Sequence, residues 1–284
     1  MSSASTAETR AGWWLLVPPA AWLSLFFILP LLIVALISLL ARGVPVSWEL
    51  DGGSYLRLID PLYFGVFLRS LTLAAGTTVL CLLIGYPLAY YIARRPPALR
   101  RWLHLMVLVP LWANSLVLVY AWIVLLRPNG LVEQLARWLG LVGEGGFSVL
   151  YSPAAVLIGL VYWYLPFMIY PLYASIEKLD FSLLDAARDL GASSVQSFVR
   201  VTLPLTLPGV AVGGILVFVE TLGAFVVPDL LGGAKSMMLG NLVQQAFLSI
   251  PQDWPLGAAA AITIAGFVAL GLLLLGGVNR ERTP

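Results

Sequence analysis

The sequence predicts an all-α integral membrane protein with six transmembrane helices, and three observations predict it. Of 284 residues, 60% are hydrophobic and 11% are charged, against roughly 25% charged in soluble domains. Six apolar stretches each reach the about 20 residues that a bilayer crossing needs; they run roughly Trp13–Leu40, Leu71–Ala93, Trp102–Leu126, Phe147–Ile176, Val201–Pro228 and Trp254–Val278. These stretches contain one formal charge, Glu220, and one histidine, His104. Backbone groups in lipid must bond internally, which leaves helices. The runs are continuously apolar and do not alternate, which excludes a transmembrane barrel.

Each span has its own justification. The first is 28 residues long, against roughly 7–15 for a signal-peptide core, and no small-residue cleavage site follows it, so it is expected to be retained. The second and third flank the tight RRPPALRR connection at 94–101. Cys81 is the single cysteine and lies inside a span, so neither a disulfide framework nor a cysteine metal site is expected. His104 falls beside the basic connection, at a helix end. Asn114, in the third span, either bonds across helices or faces a passage. The fourth span carries Tyr162-Trp163-Tyr164-Leu165-Pro166 and then Tyr170-Pro171. Its two internal prolines should bend or locally break the helix. Aromatic faces attract ammonium groups, so this segment either lines a cavity or packs. In the fifth span, Glu220 lies a few residues outward of the middle. An ionisable group there is a functional candidate. It either meets a cationic solute or bonds to a neighbouring helix or partner. The chain reads as a single transmembrane domain over 1–284, without a soluble domain or long linker.

Charge sets the orientation. Arg10, Arg94, Arg95, Arg100, Arg101, Lys178, Arg188, Arg200, Arg280 and Arg282 lie on the side of the termini, which makes ten. Arg42, Arg57, Arg69, Arg127, Arg137 and Lys235 make six on the other side. The positive-inside rule therefore places both termini in the cytoplasm. Trp13, Trp102, Tyr151 and Trp254 fit interfacial belts.

This topology makes 177–203 the longest cytoplasmic loop. Ser182-Leu-Leu-Asp185 fits a capping box that starts a helix through Asp185, Ala186, Ala187 and Arg188 to Leu190. Gly191 follows as a C-terminal stop. Ser193-Ser-Val-Gln196 is a second capping box, starting a short helix with Phe198 and Val199 that is expected to end before Pro204. The first helix is about nine residues, or about 13 Å. Helices this short are marginal alone in water, so the loop needs a surface to pack on. Phe181, Leu184 and the alanine pair are expected to offer a low-relief apolar face, either to a partner or to the chain's own membrane domain.

The pattern Asp185-Ala186-Ala187-x-x-x-Gly191, followed by Val201-Thr202-Leu203-Pro204, resembles the signature loop of permease subunits of type I ABC importers. Asp185 stands where the family has Glu, and Val201 where it has Ile. Residues 223–260 resemble the last-span region of the spermidine/putrescine branch, whose relatives also handle opines, phosphonates and other small compounds. The resemblance covers essentially the whole chain. It implies the type I importer permease fold and a bacterial inner-membrane location. It also implies that Asp185, Ala186, Ala187, Gly191, Leu203 and Pro204 form the surface that docks into a separate ATPase subunit. The partners it implies are a second, similar permease, two ATP-binding subunits and an extracytoplasmic solute-binding protein. The solute it implies is a polyamine or a related cation, with Glu220, Tyr162, Trp163, Tyr164 and Asn114 as candidate pathway residues.

No G-x-x-x-x-G-K-[ST] phosphate loop occurs, so ATP hydrolysis is expected in another subunit. No metal-ligand cluster or Ser/His/Asp constellation is present in the sequence, and no cofactor and no nucleic-acid partner are expected. A stand-alone secondary transporter or channel is the competing class. Such proteins often show internal repeats and several midplane ionisable groups, whereas this chain shows no convincing repeat and a single midplane acid.

Overall fold

The computed structural model describes residues 17–43, 46–140, 149–233 and 236–280, without the side chains of Val46 and 273–280. Trp13–Leu16, Phe147, Ser148, Arg10, Lys235 and Arg282, which the sequence reading used, lie outside the described residues. Six helices are long and apolar enough to cross a membrane among the described residues. The chain divides into two compact units, 1–60 with 243–265, and 61–242 with 266–284.

In the first unit, α1 (Val17–Ser38) leads into a small antiparallel hairpin, β1 (Leu40–Arg42) with β2 (Val46–Leu50), and then α2 (Gly53–Leu58). The sequence reading did not foresee the hairpin. The parts of α11 (Leu239–Leu248) and α12 (Trp254–Arg280) within 243–265 complete this unit. Asp253 ties it together: its carboxylate accepts from Arg57 at 2.7 Å, lies 3.4 Å from Arg42 and caps α12 through the Leu256 amide.

The second unit is built on α3 (Pro61–Ala93), α7 (Pro153–Glu177) and α9 (Ser194–Leu222), which pack against one another. α4 (Pro97–Trp112), α5 (Ser115–Leu126) and α10 (Val226–Gly232) pack on α7, and α6 (Leu131–Trp138) packs on α5. The core is apolar: Ile92, Leu160, Met168, Leu172 and Ile176 are fully buried. A few hydroxyls stitch the helices. Tyr86 and Thr206 share a hydrogen bond of 2.8 Å between α3 and α9, and Ser70 accepts from the Leu239 amide at 2.8 Å. Close approach of α9 to α7 requires Gly209, where a Cβ would stand 2.5 Å from Ser175 Oγ and 2.6 Å from the Pro171 carbonyl.

Three expected spans differ in form. The third is not one helix over 102–126: α4 stops at Trp112, Ala113 is extended, and Asn114 caps a new helix by accepting from the Leu116 amide at 2.9 Å. Pro110 lacks the amide that would bond one turn back, and the Asn114 side chain offers the next helix a start. At 16 residues, α4 is about 24 Å long, short of the roughly 30 Å hydrocarbon core. The stretch of crossing length is instead Ser115–Trp138, interrupted by a turn after Leu126. The fourth helix runs unbroken through Pro166 and Pro171, because the packing of α7 against α3 and α9 holds it. The fifth starts early: the chain is helical from Ser194 to Leu222 and does not stop before Pro204. A wide π turn at Phe198–Thr202, closed by the Leu203 amide on the Phe198 carbonyl, absorbs the proline's missing donor. The C-terminal end of that span breaks at Gly223–Phe225, and a separate helix, α10, follows rather than one helix continuing to Pro228.

Candidate coupling surface and translocation face

Between α7 and α9 the chain forms the short helix α8 (Ser182–Asp189). Ser182 does not cap it. The Asp180 carboxylate accepts from the Ser182 amide at 2.9 Å, and that bond holds the carboxyl below its ordinary value. The anionic side chain two residues further back outcompetes the serine for the free amides. The C-terminus is a Schellman turn. Gly191 has φ +85°, its amide bonds the Arg188 carbonyl at 2.8 Å, and the Ala192 amide bonds the Ala187 carbonyl at 3.0 Å. The capping box at Ser193 and Gln196 forms in full: the Gln196 amide donates to Ser193 Oγ and the Ser193 amide to Gln196 Oε1.

Side-chain directions in this loop divide sharply. Leu184 is buried, and Phe181 turns onto the Tyr90 ring, with the Arg94 guanidinium over its face. These two residues anchor the loop to their own chain, one of the two arrangements the sequence left open for them, and do not face a partner. Asp185, Ala186, Gly191 and Pro204 are exposed, while Ala187 and Leu203 are half-buried. The sequence reading missed the largest apolar groups outside: Leu183 is 46% exposed, Val195 72% and Leu190 90%. The signal was available, because Leu190 stands at the helix cap where no further turn covers it. Asp185 makes only a loose pair with Arg188, 3.5 Å apart and exposed on both sides, which contributes little to stability. The surface is therefore a small apolar patch with free charges around it, chemistry suited to docking another protein.

The candidate pathway residues fall in four places. Tyr164 is buried and donates its hydroxyl to the Glu220 backbone carbonyl at 2.9 Å, which brings those two residues together. The Glu220 side chain is exposed, and no bond to its carboxylate is found among the described residues. It ends a stripe on α9 that also exposes Leu205, Pro208, Val212 and Leu216, at offsets of 3, 7, 11 and 15 from Leu205, one helical face. Trp163 is half-buried against the core. Tyr162 points elsewhere, edge-on to Trp122 at 5.4 Å. Asn114 is exposed and occupied as the cap of α5. Glu220, Tyr162 and Asn114 thus do not converge within this chain.

Comparison with known proteins gives the fold and the surface their context. Residues 82–281 match the family described as binding-protein-dependent transport system inner membrane component. The chain is 44% identical over 265 residues to the spermidine/putrescine transport system permease protein PotB of Escherichia coli (strain K12), covering 92% of this chain and 94% of that one. It is 42% identical over 256 residues to PotB of Haemophilus influenzae, covering 88% and 87%. Its fold is similar to a chain of a bacterial ABC transporter involved in the import of the acidic polysaccharide alginate, with a TM-score of 0.74 at 18% identity over 99% of this chain and 98% of that one. The chain therefore belongs to the binding-protein-dependent transport system inner membrane components, the multi-pass, non-catalytic permease subunits of ABC importers.

Proposed function

We propose that this permease forms half of the membrane passage of a polyamine importer. The observation that carries the substrate is the 44% identity to a spermidine/putrescine permease over nearly the full length of both chains. The α9 stripe supports it physically. A carboxylate turned outward from a single chain into lipid costs several kcal/mol. Glu220 must therefore face a second permease or the passage between the two, and there it offers a counter-charge to a solute carrying several ammonium groups. The Asp185–Pro204 surface docks a cytoplasmic ATP-binding subunit, one on each permease, and an extracytoplasmic binding protein delivers the solute. ATP binding draws the two docked surfaces together, and the permease pair shifts between packings that open to opposite sides.

The test is reconstitution. The permease is co-expressed with its second permease and ATP-binding subunits, placed in vesicles, and supplied with binding protein and radiolabelled spermidine or putrescine. Uptake should require ATP and be competed by unlabelled polyamine. Uptake of an anionic solute instead, with polyamines inert as substrates and competitors, would overturn the assignment.

A further inference from the structure

The short helix α6 (Leu131–Trp138) is folded inside out. Its packed side is the polar one: the Glu133 carboxylate is buried, accepts from the Asn129 amide at 2.8 Å and pairs with Arg137 one turn on. Beside it, the Gln134 side chain donates to the Asn129 carbonyl at 2.9 Å. The apolar residues lie on the other side. Val132, Leu135, Trp138 and Leu139 follow Leu131 at offsets of 1, 4, 7 and 8, one helical face, and all five are exposed, Trp138 by 82%. A helix on a water-soluble domain turns such a face to the core; α6 turns it outward.

The corner before α6 fixes its depth. The helix α5 is apolar throughout and exposes Val117, Tyr120 and Val124 along one face. It ends at Leu126, Asn129 is left-handed at φ +58°, and Gly130 is extended, so α6 does not prolong it. The Gly130 amide closes the turn on the Arg127 carbonyl at 2.8 Å. Gly130 is buried, and a Cβ there would stand 2.5 Å from the Leu125 carbonyl oxygen. The start of α6 therefore sits against the last turn of an apolar helix, where hydrocarbon gives way to headgroups. Glu133, Gln134 and Arg137 on one side make α6 costly to bury in hydrocarbon, and the opposite face is costly to leave in water. The boundary between the two satisfies both. Leucine and tryptophan on one side and arginine on the other is the composition of helices that lie on membranes. Arg127 is exposed at the corner, and the nearby carboxylate is neutralised by Arg137, so phosphates meet a basic rim. We propose that α6 lies flat in the headgroup boundary of the leaflet at that end of α5, with Leu131, Leu135 and Trp138 among the acyl chains.

The experiment uses the assembled importer in vesicles of phosphatidylethanolamine and phosphatidylglycerol. A benzophenone amino acid replaces Leu135, Trp138 or, as the reference on the polar side, Gln134, and the adducts formed on illumination are read by mass spectrometry. Leu135 and Trp138 are exposed, so the label displaces no packed group; Leu131, exposed on the same face, serves if either variant fails to assemble. The labels at Leu135 and Trp138 should capture phospholipid, attached through its acyl chain, several-fold more often than the label at Gln134. Capture of the second permease or of the extracytoplasmic binding protein as the main adduct on the apolar face would overturn the proposal and make that face a protein interface. Lipid capture at Leu135 and Trp138 no greater than at Gln134 would overturn it as well.

Discussion

Gly191 decides the shape of the coupling surface through its backbone, not its size. Its φ of +85° is one that L side chains rarely adopt, yet no atom lies within 4 Å of where a Cβ would stand. Substitution there tests conformation without a clash. Gly191→Ala should destabilise the turn by about 1 kcal/mol. Membrane insertion and abundance should persist, while uptake and solute-stimulated ATP hydrolysis fall. Gly191→Asn should retain more of both, because Asn tolerates the left-handed region better than Ala. Equal behaviour of the two variants in the uptake assay would mean that the turn conformation is not what the partner reads.

Among the elements, α8 and the α7–α9 contact make separable predictions. Ala186→Arg or Leu190→Glu places charge on the exposed patch and touches no buried group, so the permease should fold while its ATP-binding subunit no longer co-purifies. Normal co-purification would move the docking site off this loop. Gly209→Ala presses a methyl group on the Pro171 carbonyl and should destabilise the bundle by about 1–3 kcal/mol, read as a lower melting temperature of the detergent-purified protein with docking intact. The same elements explain what the sequence could and could not disclose. Apolar runs locate helices because lipid demands internally bonded backbone. The Ser193–Gln196 box and the Gly191 stop were legible because both are local bonds. The break at Asn114 was hidden, because in an apolar run a polar side chain serves equally as cap or interhelical bond. The continuation through Pro204 was hidden too, because a π turn accommodates a proline without leaving a trace in hydropathy. Phe181 turned inward because Tyr90 and Arg94, from a distant part of the chain, supply a surface that local periodicity does not contain.

At the scale of the whole molecule, orientation and the route of the solute each carry a prediction. Reporter fusions after Arg95 and after Ala192 should read as cytoplasmic, and fusions near Gly52 and Gly233 as external; a cytoplasmic signal at Gly52 would invert the arrangement and move α8 away from any ATP-binding subunit. The passage is tested by Glu220→Gln, which keeps the shape of the side chain and removes its charge. Tyr164 holds the Glu220 backbone rather than its carboxylate, so the substitution leaves that helix contact in place. If the carboxylate faces the solute, polyamine uptake should drop at least tenfold while assembly, docking and basal ATP hydrolysis persist. Should it instead bond to the second permease, assembly and uptake must fall together, because removing one partner strands the other in a water-poor interface. Measuring uptake and assembled complex side by side separates the two. Unchanged polyamine uptake by a fully assembled Glu220→Gln importer would remove the residue from the passage and leave the half-buried face of Trp163 on α7 as the next place to look.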